Sequence, residues 1–119
     1  NKAVGIEYFK KRHMMSEHAL KKLYNFYPNN LENNKILTYY QGNILNFDIT
    51  DATVIFMCST CFNTDLMDGI FEKIKQCPNI RMVISLKEYD NYKEILPNKK
   101  EIKIKCSWAQ SVSCRIYSK

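Results

Sequence analysis

Two cysteines spaced C-x-x-C, Cys58 and Cys61 in "VIFMCSTCFN", are the residues whose type and spacing most directly suggest chemistry. Three chemistries use such a pair: structural zinc, thiol–disulfide exchange, or a strand end lining a pocket. Structural zinc wants four ligands, normally two close pairs. Cys106 and Cys114 lie eight residues apart on what reads as a hairpin, and His13 and His18 fall on a helix, so no second pair is at hand. A thioredoxin-like pair places its first cysteine at a helix N-terminus. Cys58 instead reads as a strand residue, with Cys61 in the loop that follows. The strand-end reading is therefore the leading one.

Composition sets the limits. The 119 residues suffice for one domain with one core, with 45% hydrophobic and 13% aromatic content. No apolar run approaches the roughly 18 residues of a membrane span, and no secretory signal is evident. The expectation is an intracellular protein, cytoplasmic or nuclear, with no membrane association. The five cysteines then default to reduced thiols, and Cys58, Cys106 and Cys114 sit in apolar, strand-like contexts. The net charge of +6 favours acidic partners, so a weak contact with nucleic acid or chromatin is expected through the basic surface. The lysines are scattered in pairs rather than gathered in a block.

The elements that must position these residues follow from periodicity. "AVGIE", residues 3–7, reads as a short strand ending in an acid. Residues 10–27 read as an amphipathic helix with Met15, Ala19, Leu23 and Phe26 on its apolar face. Pro28 and the asparagines at 29–30 and 33–34 end it in a polar loop. "KILTYYQGN" predicts a strand running into a turn at Gly42, and "ATVIFMC" a strand buried on both faces. Asn63 or Thr64 can cap a second helix whose apolar face holds Leu66, Ile70, Ile74 and Cys77. "NIRMVISL" is another buried strand. Residues 101–108 and 112–117 alternate as a hairpin joined by a turn at Ala109–Ser111, with Trp108 on the same face as Ile102, Ile104 and Cys106.

The order β-α-β-β-α-β plus a hairpin predicts an α/β fold: a doubly wound, mostly parallel sheet with a C-terminal antiparallel hairpin. Ligands of such sheets sit at the carboxyl ends of the strands. Glu7 ends the first strand, where an acid suits a ribose or simply a helix start. Gly42 and Asn43 end the second, where the glycine permits close backbone approach and the amide can read an adenine edge, or merely form a turn.

Taken together, "AVGIEYFKKR", "YYQGNIL", "ATVIFMCSTCFNTDLM", "VISLKEY" and "CSWAQSVSCRIY" resemble class I S-adenosylmethionine-dependent methyltransferases. The likeness is to the branch of non-SET histone lysine methyltransferases of the disruptor-of-telomeric-silencing type. It runs over nearly all of residues 1–119, read as the C-terminal part of a single methyltransferase-like domain. The resemblance implies S-adenosylmethionine as cofactor and a protein lysine or another amine as methyl acceptor. It places Glu7, Gly42, Asn43 and Ile44 against the cofactor. It places Cys58, Ser59, Thr60 and Phe62 near the transferred methyl and Trp108 by the substrate channel. No metal is implied.

The family usually has asparagine at the position of Cys58, and a thiol is a poor orienting group by comparison. The family also begins with a strand and a Gly-rich turn that have no counterpart among Gly5, Gly42 and Gly69. Its sheet order is 3-2-1-4-5-7-6, so omitting the first strand leaves two apolar edges unpaired. Each buried unpaired amide costs about 1–3 kcal/mol. The expectation is a preceding segment or partner chain that supplies this strand. The rival expectation is a non-catalytic, methyltransferase-like binding or scaffold domain.

Overall fold

The computed structural model describes residues 2–28 and 36–119, and it divides into two units, Asn1–Phe47 and Asp48–Lys119. The asparagine loop expected at 29–34 lies outside the described residues.

The first unit is a β-α-β element. Strand β1 (Lys2–Glu7) leads through Tyr8 and Phe9 into helix α1 (Lys10–Phe26), and β2 (Ile36–Gln41) returns parallel to β1, with Glu7 opposite Gln41. Gly5 faces Tyr39 across this ladder, and a Cβ there would stand 2.4 Å from Tyr39 Cδ1, so the ring occupies the space that glycine leaves.

No described residue of this unit is fully buried. The apolar face expected for α1 is corrected here: Met15 and Phe26 are 66% and 73% exposed, and Ala19 is exposed as well. The half-buried stripe is His13, Ser16, Glu17, Leu20 and Leu23, one to two positions around the helix. Both stripes satisfy the helical period, so spacing alone could not choose between them.

The second unit carries the core. Strand β3 (Val54–Met57) pairs parallel with β4 (Met82–Ser85), and helix α2 (Thr64–Lys75) connects them. Strands β5 (Asn98–Cys106) and β6 (Ala109–Ser118) form the hairpin, and the sheet order is β3-β4-β6-β5. Asn63 is the cap of α2: its Oδ1 accepts from Leu66 N at 2.9 Å, with Asp65 in the first turn and Lys73 and Lys75 in the last. Helix α2 buries Met67, Ile70, Phe71 and Ile74. Phe71 stacks on Tyr89 at 3.8 Å and meets Tyr117 edge-on at 6.1 Å. Tyr117 is fully buried, and its hydroxyl accepts from Tyr89 N at 2.9 Å.

The architecture is thus α/β with two helices and mixed sheets. The expectation of a mostly parallel sheet is corrected, because two of the four strand pairings are antiparallel and β5–β6 is the longest. The cause is local. Only Ser107 and Trp108 separate β5 from β6, and so short a turn permits only antiparallel pairing. The turn expected at Ala109–Ser111 therefore lies earlier, and Trp108 sits in it rather than on the strand face. A register shift between Ile104 and Cys106 accompanies it. Strand β6 then inserts between β4 and β5, which makes both of its pairings antiparallel. No helix among the described residues is long and apolar enough to cross a membrane.

Candidate functional site

Strand ends are where parallel β-α-β elements present groups to ligands, because helix N-termini and loop amides gather there. In the first unit, the carboxyl ends of β1 and β2 are tied together. Gly42 N donates to Glu7 O at 2.9 Å, and Gln41 Nε2 donates to Tyr8 O at 2.9 Å. Glu7, Gly42, Asn43 and Ile44 therefore converge on one end of the unit.

Gly42 has φ 152°, a region that side-chain-bearing residues rarely adopt, and a Cβ there would approach the Phe47 ring to 3.0 Å. Asn43 caps a short 3-10 turn (Ile44–Asn46) by accepting from Leu45 N at 3.0 Å through Oδ1. Its oxygen is thus engaged by that amide.

Glu7 Oε1 accepts from Phe9 N at 2.9 Å and lies 3.2 Å from Arg12 Nη2. Partial burial works against the charged carboxylate. The Phe9 amide and the Arg12 guanidinium outweigh it and hold the carboxyl below its ordinary range. Arg12 also lies 4.5 Å from the centre of the Phe9 ring. Sequence reasoning missed Arg12, although an arginine one turn into the helix that follows a strand-end acid is a readable signal.

In the second unit, the loop after β3 is built differently from the expectation of a strand reaching Cys58. The strand ends at Met57, and Cys58, Thr60 and Cys61 are all exposed. Phe62 N donates to Ser59 O at 3.0 Å and closes a reverse turn. Ser59 is fully buried and belongs to the protein's own bonding: its Oγ lies 2.7 Å from Ser85 Oγ and accepts from Lys87 N at 3.0 Å. Ser85 Oγ in turn donates to Lys87 O at 2.6 Å, and Lys87 Nζ hydrogen-bonds the Phe62 carbonyl. Phe62 is half-buried. The groups that this loop offers outward are Cys58, Thr60 and Cys61, with the Phe62 ring partly covered.

Ser85 and Lys87, which position this loop, were not singled out from the sequence. A serine ending an apolar strand is the signal that was there to find. Trp108 occupies the hairpin turn and is 59% exposed. Cys77 is buried and its thiol donates to Ile49 O at 3.1 Å, while Cys114 on β6 is buried and Cys106 is half-buried. Burial raises the Cys77 and Cys114 thiols above their ordinary value. Among the described residues, no group of three or more His, Cys, Asp or Glu is placed to hold a metal ion.

No protein-family profile and no curated protein sequence matches the chain.

Proposed function

We propose that this chain is the C-terminal part of a class I S-adenosylmethionine-dependent methyltransferase domain, of the disruptor-of-telomeric-silencing-like branch, acting on a protein lysine or another amine. One observation carries the reading. The strands form two sheets, β2–β1 and β3–β4–β6–β5. These are the two parts into which the family order 3-2-1-4-5-7-6 falls when its first strand is left out. In this reading one further parallel strand completes the doubly wound arrangement.

The residues fit the cofactor in part. In this reading the Glu7 carboxylate accepts from the ribose hydroxyls, and Gly42 permits close backbone approach. The family commonly has an acid at the position of Asn43, contacting the adenine amine; here the amide oxygen already accepts from Leu45 N. When bound, S-adenosylmethionine supplies a methyl group on a sulfonium. The chain's share of the chemistry is positioning and exclusion of water. The Ser59–Ser85–Lys87 network fixes the loop, and Phe62 offers an apolar surface where positive charge is lost as the methyl departs. An amine that arrives neutral needs no strong base.

The non-catalytic reading has its own support. Cys58 replaces the orienting asparagine, and Glu7 already holds Arg12 and the Phe9 amide.

Calorimetric titration of S-adenosylhomocysteine into the natural gene product separates the two. Saturable binding that Glu7→Ala weakens by tenfold or more supports the methyltransferase. No binding removes it and leaves the scaffold.

A further inference from the structure

We propose that Cys58 and Cys61 form a reversible thiol–disulfide pair, oxidised by a small anionic disulfide of the glutathione disulfide class. The inference does not depend on the methyltransferase reading. Cys58 is not at a helix N-terminus, so the pair is not of the thioredoxin kind, but it lies beyond the end of β3 rather than on a strand, and both thiols are exposed. They are the only exposed cysteines of the five, all of which are free thiols. Cys77 and Cys114 are buried, and Cys106 is half-buried.

The backbone between the two thiols is already folded. The turn closed by Phe62 N and Ser59 O puts Cys61 inside a chain reversal that starts next to Cys58. Ser59, between them, is held at its hydroxyl by Ser85 and Lys87. Little chain freedom remains to be lost when the ring closes, because the segment it spans is short and pinned.

The surroundings also suit the oxidant. Lys87 Nζ is bonded to the Phe62 carbonyl, one residue from Cys61. The N-terminus of α2 begins at Thr64, behind the Asn63 cap. The Lys87 ammonium, bonded one residue from Cys61, suits an anionic oxidant such as glutathione disulfide, whereas Asp65 in the first turn of α2 offsets the positive helix end.

The reaction balances in two exchanges. The Cys58 sulfur attacks one sulfur of glutathione disulfide, forming a mixed disulfide and releasing one glutathione thiol. The Cys61 sulfur then attacks the Cys58 sulfur and expels the second glutathione. The two thiol hydrogens leave on the two glutathiones, and the two electrons reduce the oxidant.

The test is a peptide map of the chain after equilibration with glutathione disulfide. Remaining thiols are alkylated in denaturant and the protein is cut with trypsin. The peptide Ile36–Lys73 contains Cys58 and Cys61 and no other cysteine. The expected result is loss of both alkylation sites from this peptide together with two hydrogens, reversed by excess reduced glutathione. In Cys61→Ser the same peptide retains one glutathione on Cys58, because the resolving thiol is gone. Glutathione on both cysteines without an internal bond overturns the proposal. So does a disulfide from this peptide to a second copy, or unmodified Cys58 and Cys61 while Cys106 reacts.

Discussion

Ser59 Oγ lies 2.7 Å from Ser85 Oγ, and both residues are fully buried. Direction can be assigned around them. Ser85 donates to Lys87 O, so it accepts from Ser59, which in turn accepts from Lys87 N. The result is a closed ring that starts and ends on the Lys87 backbone and locks the loop after β3 to the end of β4. Ser59→Ala removes the acceptor of the part-buried Lys87 N–H, and an orphaned donor costs up to about 1–3 kcal/mol. The expected outcome is a lower urea midpoint with an unchanged slope. Thr60→Ala next door is exposed and should stay within about 0.5 kcal/mol. Equal losses in the two variants would refute the ring as the loop's anchor.

The contrast between Ser59 and Thr60 also shows what the sequence could and could not tell. Strands at β1, β3 and β4 and a cap at Asn63 or Thr64 are legible because apolar runs and capping side chains act locally, but the expected burial of β3 on both faces is corrected, since Val54 and Phe56 are exposed. Met67 and Phe71 join Ile70 and Ile74 in the core because the buried face of α2 is wider than one 3–4 stripe. Trp108 was misplaced because alternation in "IKIKCSW" continues into the turn, and nothing local marks where β5 stops. Ser59 carried no signal, since its partners Ser85 and Lys87 lie 26 and 28 residues away. The convergence of Glu7, Gly42 and Asn43 was legible once parallel pairing was expected, because parallel strands bring like ends together.

Tyr117 gives a prediction at the alkaline end. Burial raises its phenol above the ordinary value of 10.0, although the Tyr89 amide donating to its oxygen favours the ionised form. A raised folded value means that stability is full below pH 10.0 and is lost as pH rises through the folded value. Tyr117→Phe should remove that alkaline loss. It should also cost about 1–3 kcal/mol at neutral pH, because Tyr89 N loses its partner. Urea unfolding at stepped pH reads both effects. A variant with an unchanged alkaline profile would count against Tyr117 as the responsible group.

Glu7 works in the opposite direction. Its folded carboxyl lies below the ordinary 4.5. The stability it lends is therefore present above pH 4.5 and is lost as pH falls through the lowered folded value. Glu7→Gln should flatten that acid limb, and Arg12→Ala should shift it upward in pH. Hydrogen exchange of the Gly42 amide, bonded to Glu7 O, reports on the first unit locally. Protection that falls with the same acid limb in wild type and Glu7→Gln would defeat the assignment.

Strand β3 pairs only with β4 among the described residues, and Val54 and Phe56 stand 51% and 63% exposed along it. A short apolar strand with one unpaired edge is a template for another strand. This chain alone is therefore expected to self-associate as its concentration rises, measured by sedimentation velocity. Phe56→Lys should restore the monomer, since a charge on an edge strand opposes edge-to-edge pairing, and should change stability by no more than about 0.5 kcal/mol. The proposed reading goes further, because it pairs that edge with a strand of the natural gene product. In that product the wild-type protein should then stay monomeric, and the amides of Val54–Met57 should exchange far more slowly than in this chain alone. Self-association that persists in the natural gene product, with β3 amides still exchanging fast, would leave the edge open and remove the strand the methyltransferase fold requires.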